Sequence, residues 1–144
     1  MLEILLSLYG ERPSLFVGVI GLFLMVVIII LYFIFYVYMS VNLRNISKII
    51  FNNEKKYRGP LEPFNFIFLS FLPIIFWREI LNIKYNRPFK KLYGKEFYYS
   101  IDEKQLKKLL DEYKAYFFFQ YIIFTITTVA FIFMIYAYVV GNYF

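Results

Sequence analysis

The sequence predicts an all-α integral membrane protein. Two transmembrane helices form an antiparallel hairpin, a re-entrant or interfacial segment lies between them, and a long C-terminal helix extends into water. Three observations predict this class. Hydrophobic residues make up 61% of the 144 and aromatic residues 24%, more than a soluble domain of this size could cover with polar surface. Two long runs carry no charge at all. Of 16 Lys and Arg residues, only Arg12 lies outside the segment from Arg44 to Lys114, between those runs.

Residues 1–14 read as an N-terminal tail. It has no basic n-region, the apolar run that follows is too long for a signal peptide, and no A-x-A site closes it, so no cleaved leader is expected. Leu15 to Met39 is 25 residues without a charge. As a helix it would measure about 37 Å, enough to cross a hydrocarbon core of about 30 Å with some tilt. Pro13 and Ser14 supply a start signal. Tyr32, Tyr36 and Tyr38 crowd the far end, where an aromatic belt would meet the headgroups.

Residues 40–100 read as a basic membrane-surface region holding a half-buried segment at 64–77. That segment, FNFIFLSFLPIIFW, is too short to span: its 14 uncharged residues would form roughly 21 Å of helix. Pro73 removes a backbone donor inside it and disfavours a straight helix. Charge placement agrees. With two spans, 15 basic residues share one side; a third span would move the basic loop Arg44–Arg58 across and leave 11 against 5. The positive-inside tendency favours the first arrangement. The segment is expected to be a wedge with Trp77 at the headgroups and Arg78 in water.

Residues 101–140 read as one helix that begins in water and continues into the second span. Ser100 and Glu103 have capping-box spacing, and no Gly or Pro follows until Gly141. Glu103–Lys107 and Lys108–Glu112 support the exposed part. Ala115 to Val140 is the second uncharged run, 26 residues long. Leu106, Leu109, Tyr113, Tyr116, Gln120, Ile123, Thr127, Ala130, Met134, Ala137 and Gly141 trace a seam at steps of three and four. Its small members lie at the C-terminal end, and Gly18 and Gly21 follow the same rhythm at the N-terminal end of the first span. In a hairpin these ends share a leaflet and are expected to pack closely.

Chemistry is sparsely supplied. Without Cys, disulfides and thiolate catalysis are excluded; without His, the commonest general base and metal ligand are missing. Neither span holds an Asp, Glu, Lys or Arg that could relay ions. No Gly-rich phosphate loop or catalytic triad is visible. No enzyme, cofactor or metal site is expected. The paired carboxylates Asp102-Glu103 and Asp111-Glu112 alternate with lysines, as on a solvated helix face.

The best binding feature is the stretch REILNIKYNRPFKKLYGKEFYY, in which Arg78, Lys84, Arg87, Lys90, Lys91 and Lys95 alternate with aromatic residues. Beside a membrane it reads as an anionic-phospholipid contact, although topology alone would also keep such a loop basic. Nucleic acid is not an expected partner. Phe, Tyr, Ile, Asn and Lys supply 73 of the residues, against 19 for Gly, Ala, Arg and Pro, which indicates an AT-rich genome, bacterial or organellar.

The expected role is a small non-catalytic subunit of a larger membrane complex, with other membrane-protein subunits as partners. For an organelle-encoded chain this means an energy-transducing assembly, respiratory chain or ATP synthase. The membrane is then the mitochondrial inner or bacterial cytoplasmic one, with the basic region on the matrix or cytoplasmic side. The alternatives are a homo-oligomeric pore or holin-like protein, with Gln120, Thr127 and Thr128 facing water, and a free-standing lipid-binding stress protein. The layout of a span at each end around a basic middle resembles bacterial universal stress protein B, in layout alone and through no shared motif.

Overall fold

The computed structural model describes residues 12–57, 59–89 and 101–143. Among them every regular element is a helix: α1 (Pro13–Phe51), α2 (Pro63–Ile75), α3 (Trp77–Lys84), α4 (Glu103–Glu112) and α5 (Lys114–Tyr143). Helices α1 and α5 are each long and apolar enough to cross a membrane. The antiparallel hairpin is present. Between the two lies the bent pair α2–α3, turned through 46°.

Helix α1 starts where Arg12 offers its carbonyl to the N–H groups of Leu15 and Phe16, both at 3.1 Å. Pro13 has no N–H to leave unsatisfied there. The helix does not stop at Met39 but runs to Phe51, so part of the expected surface region is helical. The reason is a stripe that outlasts the apolar run. Met39, Leu43, Ile46 and Ile50 follow at steps of three and four, and all are buried. Asn52 then takes a left-handed conformation, φ 53°, and ends the helix.

The chain forms two compact units, Met1–Phe33 with Ile122–Phe144, and Ile34–Tyr121. The first is a pair of antiparallel helical segments whose backbones approach at small residues. A Cβ added to Gly18 would lie 3.3 Å from Ala137 Cβ, and one on Gly21 would lie 3.0 Å from Met134 Cγ and 3.5 Å from Ala130 O. At the outer end Gly141 faces Ser14, with 3.8 Å from its added Cβ to the serine Oγ. Most other side chains here are large, apolar and exposed, as lipid contact requires.

The second unit has the deeper core. Phe35, Met39, Ile46, Leu69, Leu72, Leu106 and Tyr116 are fully buried in it, and Leu43, Leu61, Ile101 and Leu109 nearly so. Helix α3 packs against both α2 and α4. It ends in a Schellman motif: Arg87 N–H donates to Asn82 O at 2.8 Å and Asn86 N–H to Ile83 O at 3.2 Å. Asn86 holds the left-handed position, φ 51°. Asn86→Ala should therefore cost about 1 kcal/mol of thermal stability in detergent while Asn86→Gly is neutral or better; equal melting temperatures would remove that role.

The single helix expected over 101–140 is two. Tyr113 (φ −124°, ψ 50°) separates α4 from α5. The cap of α4 also differs from the Ser100–Glu103 expectation: Asp102 and Gln105 form the capping box. Ser100 lies outside the described residues. Gln105 accounts for the choice. Its Oε1 accepts from Asp102 N–H at 2.9 Å, and its Nε2 donates to Ile49 O at 2.9 Å. One side chain thus satisfies an orphan amide of α4 and an orphan carbonyl in the last turn of α1.

A proline-broken wedge and the membrane-surface residues

Proline chemistry organises the middle of the second unit. Inside α2, Pro73 has no N–H for the carbonyl of Leu69 one turn earlier. An unpaired carbonyl in a buried, apolar setting is costly. The buried Tyr116 hydroxyl of α5 donates to that same Leu69 oxygen. At the bend, Pro73 O accepts from the Tyr121 hydroxyl at 3.3 Å. The segment before α2 is held as well, through Tyr36 Oη donating to Leu61 O at 2.9 Å. Aromatic packing completes the attachment: Phe66 meets Phe35 edge-on at 5.6 Å and Tyr36 at 5.3 Å.

These contacts define how α2 lies. Its 13 residues measure about 20 Å. Yet its partners on α1 are the neighbours Phe35 and Tyr36, and those on α5 lie between Tyr116 and Tyr121, about 8 Å of helix rise. From Leu69 to Pro73 the partners on α5 advance from Tyr116 to Tyr121, so this part of α2 keeps step with α5 before the chain bends by 46° into α3. Phe64, Ile67, Phe68 and Phe71 point away from the protein on one exposed face. With no polar face, the helix is suited to hydrocarbon on one side and protein on the other.

The seam residues divide in the same way. Gln120 is buried in the second unit, with its Oε1 shielded and lacking a hydrogen-bond partner among the described residues. In the first unit Ala130 is buried, Thr127 and Ala137 are half-buried, and Gly141 is exposed at the end of the helix. Gly18 and Gly21 stand against Ala137, Met134 and Ala130.

Of the six basic residues expected at the headgroups, Arg78, Lys84 and Arg87 are exposed. Lys90, Lys91 and Lys95 lie outside the described residues. Arg78 and Arg87 share a surface groove of about 370 Å³ with Trp77, Leu81, Asn82 and Tyr85, pairing cations with interfacial aromatics. The basic loop Arg44–Arg58, read from the sequence only for topology, holds a second basic cluster at the end of α1 and after it. There Lys48 is paired with Glu54, and Lys56 Nζ sits 3.5 Å from the centroid of the Phe51 ring. The Lys48 hydrogen bond, then its charge and those of Arg44 and Lys55, hold the Glu54 carboxyl below its ordinary value of 4.5. The signal available in the sequence was Arg44, the first charge after the uncharged run that ends at Leu43. Among the described residues no three His, Cys, Asp or Glu side chains gather as for a metal ion.

No protein-family model, curated protein or solved structure matches the chain. Fold and composition define its class: a small integral membrane protein with two candidate spans.

Proposed function

We propose that the chain is a non-catalytic subunit of a larger multi-subunit membrane complex. One observation carries this reading: only 11% of the most apolar window of each candidate span is buried within the chain. Beyond the face on which they pack together, the spans thus leave their surface to lipid or to other helices. The second unit, by contrast, has a deep core, with its proline-freed carbonyl satisfied and α2 and the segment before it tied down by three tyrosines. A chain with one well-packed core and two spans whose apolar faces stay open suits a scaffold or assembly role. It offers little to catalysis. The basic groove on the same chain favours the matrix or cytoplasmic side and anionic phospholipid as a neighbour. For an organelle-encoded chain the host would be an energy-transducing complex of the mitochondrial inner membrane.

The test is native mass and protein identification after gentle detergent extraction. A reproducible heteromeric partner set supports the proposal. A lone homo-oligomer overturns it in favour of the pore. The pore reading needs open polar groups, but Gln120 is buried and the Thr128 hydroxyl already donates to Phe124 O at 2.9 Å.

A further inference from the structure

The pocket between the end of the first span and the loop after it has mixed chemistry. It measures about 740 Å³ and is lined by Ser40, Val41, Leu43, Arg44, Glu54, Lys55, Tyr57 and Gly59, all within the second unit. Val41 is 79% exposed, a wasteful placement for a valine facing water. One helical turn further on is Arg44, and across the pocket is Lys55. Glu54 also lines the pocket and feels both cations, but its charge is offset by the ion pair with Lys48, so the site keeps a net positive charge. The Ser40 hydroxyl oxygen is shielded and has no hydrogen-bond partner among the described residues. A free anion would use the cations but leave Val41 against water.

Depth supplies the second line of evidence. From Pro13 through Leu43 helix α1 carries no charge. That length of helix is about 46 Å, close to the 40–45 Å of a whole bilayer including headgroups. Val41 then falls at the glycerol level and Arg44 among the phosphates. We infer that this pocket is a binding site for one anionic phospholipid of the basic leaflet, with its phosphate between Arg44 and Lys55 and its glycerol and upper acyl chain against Val41. The inference does not depend on the assembly reading. It also assigns lipid to a place distinct from the Arg78–Arg87 groove.

The experiment counts bound lipids by native mass spectrometry of the full chain released from phosphatidylcholine nanodiscs containing phosphatidylglycerol. Wild type should retain phosphatidylglycerol in preference to phosphatidylcholine, and excess inorganic phosphate should not displace it. The R44Q/K55Q double variant should bind that lipid roughly 30-fold more weakly, the equivalent of two surface cations. K107Q/K108Q, which removes two exposed lysines of α4, should behave as wild type. If R44Q/K55Q fails to fold, the charge-preserving R44K/K55R variant must keep the lipid. Unchanged retention in R44Q/K55Q overturns the site, as does equal loss in K107Q/K108Q or equal retention of both lipids by wild type. Displacement by inorganic phosphate would replace the lipid with a soluble anion and also overturn it. Loss confined to an R78Q/R87Q variant would sink this site and leave the other groove standing.

Discussion

Tyr116→Ala should be the most damaging single substitution in the chain, costing about 3–5 kcal/mol of unfolding free energy in detergent. Two effects combine. A fully buried aromatic ring beside Phe35 and Phe117 is lost, and Leu69 O is left without the donor that replaces the missing Pro73 amide. Tyr116→Phe separates the two by keeping the ring, and should cost about 1–3 kcal/mol. A double-mutant cycle makes the mechanism specific. In a Pro73→Ala background, residue 73 regains an N–H for Leu69 O, so the hydroxyl of Tyr116 becomes dispensable. Tyr116→Phe should then cost less than half as much. An undiminished cost in the Pro73→Ala background would show that the hydroxyl serves something other than the proline gap.

The second large effect concerns the first unit. Combining Gly18→Ile and Gly21→Ile should separate the helical segments there, at about 1–3 kcal/mol per site from overpacking. Smaller changes should split by position. At Gly21 the nearest obstacle is the flexible Met134 side chain, so Gly21→Ala can gain up to about 1 kcal/mol of helix propensity. At Gly18 the obstacle is Ala137 Cβ, fixed to its own backbone, and the helices themselves must part by a few tenths of an ångström. Gly18→Ala should therefore be the less stable of the two alanine variants. Thermal denaturation of the purified variants checks the order, and a reversed order would contradict the backbone approach.

Length and charge made the two spans readable, because a helix that crosses lipid needs an uninterrupted apolar run and little else. The short, bent helical segment between them was readable for a similar reason: its uncharged run has only 14 residues, and Pro73 interrupts it. Its anchors were not. Nothing in the spacing of Tyr36, Tyr116 and Tyr121 says that their hydroxyls reach the carbonyls of a segment some 25 to 48 residues away. The break at Tyr113 was hidden because helix propensity and charge pairing run smoothly across it. The cap of α4 was ambiguous, since Ser100–Glu103 and Asp102–Gln105 have the same spacing. The bond from Gln105 to Ile49 O decides it, and that bond exists only once α1 extends to Phe51. The lipid pocket was missed because it combines a helix end with a loop, and neither is distinctive alone.

The central claim is that the chain crosses twice and that α2 does not. The sequence contains no cysteine, so single-cysteine variants report cleanly. Asn53→Cys, Lys84→Cys, Lys108→Cys and Asn142→Cys all place the thiol at exposed positions. Asn53 precedes the wedge, Lys84 follows it, Lys108 lies in α4, and Asn142 ends the second span. With sealed vesicles and a membrane-impermeant maleimide, the first three should label from one face and Asn142→Cys from the opposite face. Labelling of Asn53→Cys and Lys84→Cys from opposite faces would make α2–α3 a third span and contradict the account.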